Sequence, residues 1–168
     1  RINNRYGKIL KMPKAELGKV GKRIMSLSDP TVKMAKSNPK GDIFLTDDIQ
    51  VIRKKIMSAV TDTGSEVKFD PENKPGISNL LTIYSAMKEI SIEEAEKTFE
   101  GYRYGDFKKA VADAVIEVIE PLQLRYKEIV EKKLYIKVLQ EGAKKASLIA
   151  NKTLKTLQTS VGLLNIDE

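Results

Sequence analysis

The run Lys33–Gly41 contains the residue types and spacing that could do chemistry. Two of its lysines, Lys33 and Lys36, stand three positions apart with small and hydroxyl residues around them. Lysine carries a compact charge on a flexible stem, so it can follow negative charge that develops on a phosphate leaving group. Ser37 can donate a hydroxyl hydrogen bond, and backbone N–H groups near Gly41 can add anion contacts. The run predicts a loop that closes on polyphosphate, although the pattern alone also fits a solvated turn.

The composition limits which other chemistry is available. The 168 residues include no cysteine and no histidine. Catalytic triads, histidine general bases and most zinc sites need an imidazole or a thiolate, so these are excluded. The spacing of a Walker phosphate-binding loop is also absent. Catalysis would have to come from lysine, carboxylate, hydroxyl and backbone groups, and we predict no resident metal site.

Positive charge is concentrated at the start of the chain. Residues 1–40 hold 11 Lys and Arg against two acidic residues, whereas the other 128 residues hold 19 basic and 21 acidic ones. Such asymmetry predicts either an anionic ligand for the first quarter or a lysine-rich surface without one.

The pattern of apolar residues predicts a mainly α fold, in which a helical lobe follows a loop-rich segment. Residues 1–45 are rich in Gly and Pro and contain at most one short strand, the apolar run Ile24–Leu27. Helical spacing then recurs in five segments. These are residues 46–60 with Thr46 as cap, 78–88 with Ser78 as cap, 92–99 with a Ser91/Glu94 capping box, a long helix from Asp106 that Pro121 kinks or breaks, and Leu134–Val161, predicted to be a core helix with a solvated lysine face.

Several segments of the chain resemble tryptophanyl-tRNA synthetases of the bacterial type. Lys33–Ser37 is similar to the KMSKS signature of class I aminoacyl-tRNA synthetases, and residues 21–31 look like the segment that leads into it. Further blocks follow in the family's order and cover most of the chain: residues 59–63, 74–81, 99–108 and 119–126. The tyrosyl enzyme, a sister with the same architecture, is a second interpretation.

The resemblance implies a ligase that activates tryptophan with ATP and Mg²⁺ and then charges tRNA(Trp). By position, Lys36 would stabilise charge on the departing pyrophosphate, assisted by Lys33 and Ser37. Met34 would lie against the nucleotide, and the backbone of Ile24 would meet the adenine. The ATP-binding residues implied are Ile24, Lys33, Met34, Ala35, Lys36 and Ser37.

The resemblance also implies a division into domains. Residues 1–45 would be the last part of a Rossmann-like catalytic domain, and residues 46–168 an α-helical domain that faces the tRNA anticodon. The intact protein would be a cytoplasmic homodimer with no membrane segment. Aromatic and arginine side chains on loops or helix ends could stack on tRNA bases; the candidates are Phe69, Tyr102, Arg103 and Tyr104.

Two positions depart from the family's pattern, and part of the pattern is missing. Ala35 stands where serine is usual, and Asn38 stands where aspartate is common. The family's HIGH-type motif, its GxDQ-like block and its tryptophan pocket are absent. We therefore expect this chain to be the C-terminal portion of the synthetase and to be inactive alone. The alternative is a non-catalytic RNA-binding or helical interaction module.

Overall fold

The computed structural model describes residues 1–16 and 23–163. Within these ranges the chain is mainly helical and contains no named strand, which confirms the predicted fold class. Six helices are present: α1 (Ile2–Tyr6), α2 (Ile49–Met57), α3 (Pro75–Lys88), α4 (Ile92–Thr98), α5 (Tyr104–Glu131) and α6 (Leu134–Val161). Contacts divide the chain into two compact units, one comprising Arg1–Glu16 with Lys127–Glu168 and the other comprising Leu17–Tyr126.

Side-chain caps begin α2 and α4, and two of the predicted caps are wrong. Asp48, not Thr46, caps α2, because its carboxylate accepts the Gln50 N–H at 2.8 Å. Helix α3 begins at Pro75 rather than after Ser78, because proline's fixed φ and missing N–H suit the first turn. The Ser78 hydroxyl instead accepts the Asp70 N–H at 2.8 Å.

The capping box at the start of α4 is confirmed. The Ser91 hydroxyl accepts the Glu94 N–H at 3.2 Å, and the Glu94 carboxylate accepts the Ser91 N–H at 2.9 Å. Each partner satisfies an N–H group that the first helical turn leaves free.

Helix α5 continues through Pro121, so of the two outcomes predicted for this proline, a kink or a break, the break is wrong. The preceding turns are held by buried side chains such as Val115 and Ile119. Two residues after the proline, the Gln123 amide donates to the Leu45 and Asp47 carbonyl oxygens at 2.8 Å each. These tertiary contacts outweigh the loss of one backbone hydrogen bond at the exposed proline.

The core of the Leu17–Tyr126 unit is formed by side chains of α2, α3, α4 and α5. Phe99 lies at its centre and packs edge-on against Tyr84 and Phe107, with ring centroids 4.7 and 4.8 Å apart. Such edge-to-face pairs add to the stabilisation from burial. Buried side chains around them are Ile52, Ile56, Ile77, Leu80, Leu81, Ala95 and Val111.

Helix α6 has the predicted bounds but not the predicted burial. None of its residues is buried, and Leu148 and Ile149 are 75% and 72% exposed. Its C-terminal residue is followed by Gly162 in the left-handed conformation, a common helix terminator. Among the described residues α6 is therefore an amphipathic helix rather than a core helix. No helix in the described ranges combines the length and apolarity that crossing a membrane requires.

Candidate functional site

We define the lysine loop as Lys33–Gly41. Its first residues form a short antiparallel pairing with the apolar run Ile24–Leu27. Met25 and Lys33 form an isolated β-bridge. The Ser26 N–H donates to Val32 O at 2.8 Å, and the Met34 N–H donates to Ile24 O at 3.0 Å. The predicted short strand is therefore an extended segment that fixes the position at which the lysine loop begins.

The turn that joins the two paired segments is closed by Asp29. One of its carboxylate oxygens accepts both the backbone N–H and the hydroxyl of Thr31, at 3.0 and 2.6 Å. The hydrogen bond from the Thr31 hydroxyl, and to a smaller extent the one from its backbone N–H, hold the pKa of Asp29 below its ordinary value. The Val32 N–H also donates to Asp29 O at 3.1 Å. This turn directs the chain back along Ile24–Leu27.

Inside the lysine loop, two successive turns bring the backbone back to the core. The Asn38 N–H donates to Ala35 O at 2.8 Å, and the Gly41 N–H donates to Asn38 O at 3.0 Å. Gly41 O then accepts the Leu27 N–H at 2.9 Å. A Cβ at Gly41 would lie 1.9 Å from the Ser26 hydroxyl oxygen, so any larger residue would displace the Ser26 side chain from its present position.

The two lysines predicted to be catalytic, Lys33 and Lys36, lie exposed on the lysine loop. Neither forms an ion pair with any residue in the described part of the chain. Their charges are therefore free to meet an external anion. Catalysis by these lysines remains a prediction.

The other residues predicted to contact ATP lie on both sides of the pairing. Ile24 and Met34 are half-buried and pack against the apolar core, whereas Ala35 and Ser37 are exposed. The Ile24 carbonyl is already bonded to the Met34 N–H. These contacts, too, remain predictions.

Asn38, which replaces the family's usual aspartate, donates its amide to two serine hydroxyls. Its Nδ2 lies 3.2 Å from Ser28 Oγ and 3.4 Å from Ser26 Oγ. These two hydroxyls lie 3.2 Å apart and can bond each other. The amide thus links the lysine loop to the Ile24–Leu27 run through neutral groups.

Asn79 on α3 anchors the base of the lysine loop, and the sequence analysis gave it no role. Its side chain accepts the Met25 N–H and donates to Met25 O, both at 2.8 Å. The residue is only 5% exposed. A signal was present, because an amide within a buried helical stretch must find hydrogen-bond partners. The partner, 54 positions earlier in the chain, could not be read from the sequence.

Asp42 lies directly beneath the lysine loop and was also missed. It is 3% exposed, and its Oδ1 accepts the Ala35 N–H at 3.1 Å. Its Oδ2 is buried and has no hydrogen-bond partner in the described part of the chain. A buried carboxylate of this kind is unusual, since buried polar groups are normally satisfied.

The candidates for tRNA contact fall into two groups. Phe69 and Tyr102 are 38% and 46% exposed, and Arg103 is exposed as well. Tyr102 packs edge-on against Phe99, with ring centroids 5.3 Å apart. The Tyr104 hydroxyl, in contrast, is already bonded within the protein. All four remain predictions as RNA contacts.

We call Asp62, Lys74 and Tyr104 the Asp62 cluster. The Tyr104 hydroxyl donates to Asp62 Oδ1 at 2.8 Å, and Lys74 Nζ lies 3.0 Å from the Tyr104 hydroxyl and 3.3 Å from Asp62 Oδ1. The Gly64 N–H donates to the same carboxylate oxygen at 2.7 Å. The cluster therefore ties the long connection after α2 to the first residue of α5.

The ionisation of the Asp62 cluster reflects these contacts. Burial alone would raise the pKa of the Asp62 carboxyl, but hydrogen bonds from Tyr104, Gly64 and Lys74 outweigh it and hold that pKa below its ordinary value. The pKa of Lys74 is raised, chiefly by its hydrogen bond with Tyr104. Burial raises the pKa of Tyr104. Lys74 is therefore a charged, internally partnered lysine, unlike Lys33 and Lys36.

Acidic side chains that could hold a metal are not clustered in residues 1–16 and 23–163.

Comparisons with known proteins place this arrangement in a family. The family model described as tRNA synthetases class I (W and Y) matches residues 1–120. The chain belongs to this family. It is 48% identical to the tryptophan–tRNA ligases of Halalkalibacterium halodurans and Bacillus subtilis, over 165 residues in each case. These alignments cover 97% of this chain and 50% of each relative, so the chain spans about half the length of the curated relatives it matches.

Solved structures agree with the sequence relatives. The crystal structure of tryptophanyl-tRNA synthetase from Mycoplasma pneumoniae has a TM-score of 0.87 at 30% identity, covering 97% of this chain and 52% of that one. The Campylobacter jejuni enzyme complexed with ADP and tryptophan has a TM-score of 0.64 at 27% identity, covering 96% of this chain and 50% of that one. The resemblance to tryptophanyl-tRNA synthetases found in the sequence is therefore confirmed.

Proposed function

We propose that this chain supplies the ATP-closing loop and the helical tRNA-facing lobe of a tryptophan–tRNA ligase. The observation that carries the proposal is the pair of unpaired lysines, Lys33 and Lys36, on a loop whose backbone is anchored at both ends. The reaction joins the tryptophan carboxylate to the α-phosphate of Mg²⁺-bound ATP and releases pyrophosphate. Transfer of the tryptophanyl group to tRNA(Trp) follows.

Lys36 acts as the main stabiliser of charge on the departing pyrophosphate, and Lys33 assists. Negative charge grows on the β- and γ-phosphates as the bond to the α-phosphate breaks, and a positive group placed there lowers the barrier. The anchored backbone restricts where the lysine stems can start, so less order has to be created at the moment of reaction. Free ammonium groups suit this role because they lose no internal partner.

The remaining loop residues bind the nucleotide. Met34 lies against it, the Ile24 backbone meets the adenine, and Ala35 and Ser37 complete the contact surface. Ala35 offers no hydroxyl, so one hydrogen bond fewer is made to ATP than a serine would allow. A neutral hydrogen bond contributes on the order of 1 kcal/mol, which slows activation without abolishing it.

The chain acts only together with the other half of the synthetase. The curated relatives are about twice as long as the part that this chain matches, and activation needs groups from both halves assembled around one substrate. Within this chain, residues 1–45 belong to the catalytic domain and residues 46–168 to the helical domain. The intact enzyme is a cytoplasmic homodimer, as the resemblance implies.

Tryptophan is favoured over tyrosine because the relatives at 48% identity are tryptophan–tRNA ligases, whereas the family model covers both amino acids.

A hybrid enzyme tests the proposal. This chain would replace the half of the Bacillus subtilis relative that it matches, and amino-acid-dependent ATP–pyrophosphate exchange would be measured. We expect exchange with tryptophan, none with tyrosine, and none from the isolated chain above its Lys36→Ala variant. A soluble, folded hybrid without exchange would count against the proposal, and exchange with tyrosine would reassign the substrate.

A second experiment tests the tRNA-facing role of the lobe. Binding of the chain to a tRNA(Trp) transcript would be measured at low and physiological salt, with an anticodon-changed transcript as competitor. Stacking of a base on an aromatic side chain contributes about 1–3 kcal/mol. We therefore expect Tyr102→Ala and Phe69→Ala to weaken binding that survives salt, with Tyr6→Ala as the control. Equal binding of both transcripts, lost with salt, would instead indicate phosphate attraction alone.

A further inference from the structure

Asp42 combines three properties that no other described carboxylate shows together. It is 3% exposed, it holds a backbone N–H of the lysine loop, and it keeps a second buried oxygen without a partner. Asp62 also has an unpartnered oxygen, but its partners lie outside the loop. Burying an unsatisfied carboxylate oxygen is costly, so its persistence at the base of a functional loop calls for an explanation.

The bonded N–H belongs to Ala35, which lies between the two free lysines. Fixing the backbone at Ala35 limits the positions from which the Lys33 and Lys36 stems leave the loop. The Ala35 carbonyl is also engaged, since it accepts the Asn38 N–H at 2.8 Å. Asp42 thus completes the fixing of the two peptide units that flank Ala35, since one supplies the bonded N–H and the other the bonded carbonyl.

The same chain shows what a carboxylate can do for a residue with a hydroxyl. Asp29 accepts both the N–H and the hydroxyl of Thr31, at 3.0 and 2.6 Å. Asp42 accepts the N–H of Ala35 in the same way, at 3.1 Å, but the side chain at position 35 is a methyl group. Asp29 makes both contacts through one oxygen, whereas Asp42 also has a second oxygen without a partner in the described part of the chain. A hydroxyl at position 35 would add a donor beside that carboxylate.

We propose that Asp42 is the positioning residue of the lysine loop, with an acceptor oxygen that a hydroxyl at position 35 would engage in the absence of a nucleotide. The structural part of the proposal concerns the hydrogen bond from the Ala35 N–H to Asp42 and the unused second oxygen of that carboxylate. The catalytic part, which rests on the proposed function, is that this bond holds Lys36 where pyrophosphate departs. Asp42 itself touches no substrate.

Amide exchange at position 35, measured by NMR on the whole chain, tests the structural part. Loss of one hydrogen bond changes such an equilibrium by about tenfold. We expect Asp42→Ala to speed exchange about tenfold, and Asp42→Asn, which keeps an acceptor oxygen, to restore most of the protection. Asp29→Ala is the matched control, because it should expose the Thr31 amide and leave position 35 unchanged.

A double-mutant comparison tests the unused acceptor. Ala35→Ser should slow exchange at position 35 severalfold when Asp42 is present and have no such effect in Asp42→Ala. Equal effects in the two backgrounds, or an amide at position 35 that Asp42→Ala leaves protected, would overturn the structural part. Asp42→Asn is a second background with the shape of Asp42 but only one acceptor oxygen, and Ala35→Ser should give no added protection there either, so the comparison stands even where Asp42→Ala does not fold.

The hybrid enzyme tests the catalytic part. Asp42→Ala should lower kcat for ATP–pyrophosphate exchange about tenfold and leave the KM for tryptophan unchanged, and Asp42→Asn should recover most of the rate. Faster amide exchange with an unaltered kcat would overturn the positioning role. A hybrid that is inactive with Asp42 intact would contradict the proposed function instead, while the amide-exchange results would still decide the structural part.

Discussion

Lysines occupy two polar regions of this chain, the lysine loop and the Asp62 cluster, under opposite conditions. Lys33 and Lys36 are exposed and unpaired within the described residues, and hydrogen bonds hold only the backbone of their neighbours, such as Met34 and Ala35. Lys74 is 19% exposed in its side chain and bonds both a carboxylate and a phenol. Both regions lie in connections between helices, and both looked like polar loops in the sequence.

This difference distinguishes lysines whose charge is available to a ligand from a lysine whose charge stabilises the fold. A lysine that already has two internal partners would have to lose them to bind a phosphate, and that loss would weaken binding. A lysine whose side chain has no internal partner loses nothing of this kind. Partner geometry, rather than local sequence, therefore distinguishes the region that we expect to affect catalysis from the one that we expect to affect stability.

The largest loss in the free energy of unfolding should come from Gly76→Ala, two positions after Lys74. A Cβ at position 76 would lie 2.1 Å from the backbone carbonyl oxygen of Val60, so helix α3 or the connection would have to shift. Such overpacking costs about 1–3 kcal/mol or more. Gly105→Ala is the matched control, because nothing lies within 4 Å of its Cβ position. Chemical denaturation would measure both, and equal stability of the two variants would refute the rigidity assigned to this region.

A smaller loss of stability should follow Lys74→Met. This change removes the cationic partner of Asp62 and Tyr104 but keeps most of the apolar stem of the side chain. We expect the unfolding midpoint to fall by a few degrees, because the Asp62 carboxylate loses its cationic partner. Lys54→Met is the control, since Lys54 is exposed and forms no ion pair within the described residues. An unchanged midpoint for Lys74→Met would remove the contrast between the two regions.

The smallest effect should be a dependence on pH. The pKa of Asp62 in the folded chain lies below its ordinary value of 3.8, so the unfolded chain binds the proton more readily. The stabilisation from this carboxylate is therefore present above about pH 4 and is lost as pH falls through its folded-state pKa. Asp62→Asn should be less stable than the original chain at neutral pH, with a difference that shrinks below pH 3.8.

Thermal unfolding of both chains between pH 2 and pH 7 would measure that change, with Glu100→Gln as an exposed-carboxylate control. A difference between Asp62→Asn and the original chain that stays constant over the whole range would show that the Asp62 charge contributes nothing.

Local sequence signals predicted five of the six helices in the described ranges, and missed the short α1. The bounds of α6 and the capping box of α4 depend on residues within a few positions of each other, and both are confirmed. Whether Pro121 would break α5 could not be decided from the sequence, because distant contacts such as those of Gln123 hold the helix. Burial of α6 was wrongly predicted, since an amphipathic pattern shows which face could be covered but not what covers it.

The candidate site was predicted only in part. The lysine loop carries a recognisable pattern, and the structure places it on an exposed, anchored turn. Asn79 and Asp42 carry no such pattern, because their roles depend on which backbone groups the fold brings beside them. Tyr104 was grouped with aromatic residues that could stack on RNA, but its hydroxyl bonds a carboxylate 42 positions away.

The most direct test compares Lys36→Ala with Lys74→Met in the hybrid enzyme, measuring both tryptophan-dependent ATP–pyrophosphate exchange and the unfolding midpoint. Removing one group that stabilises charge in a transition state typically costs about 10²–10³ in kcat. We expect a loss of that size for Lys36→Ala with an unchanged midpoint, and a lowered midpoint with nearly normal exchange for Lys74→Met. Exchange that survives Lys36→Ala, or falls equally in both variants, would contradict the proposed role of Lys36.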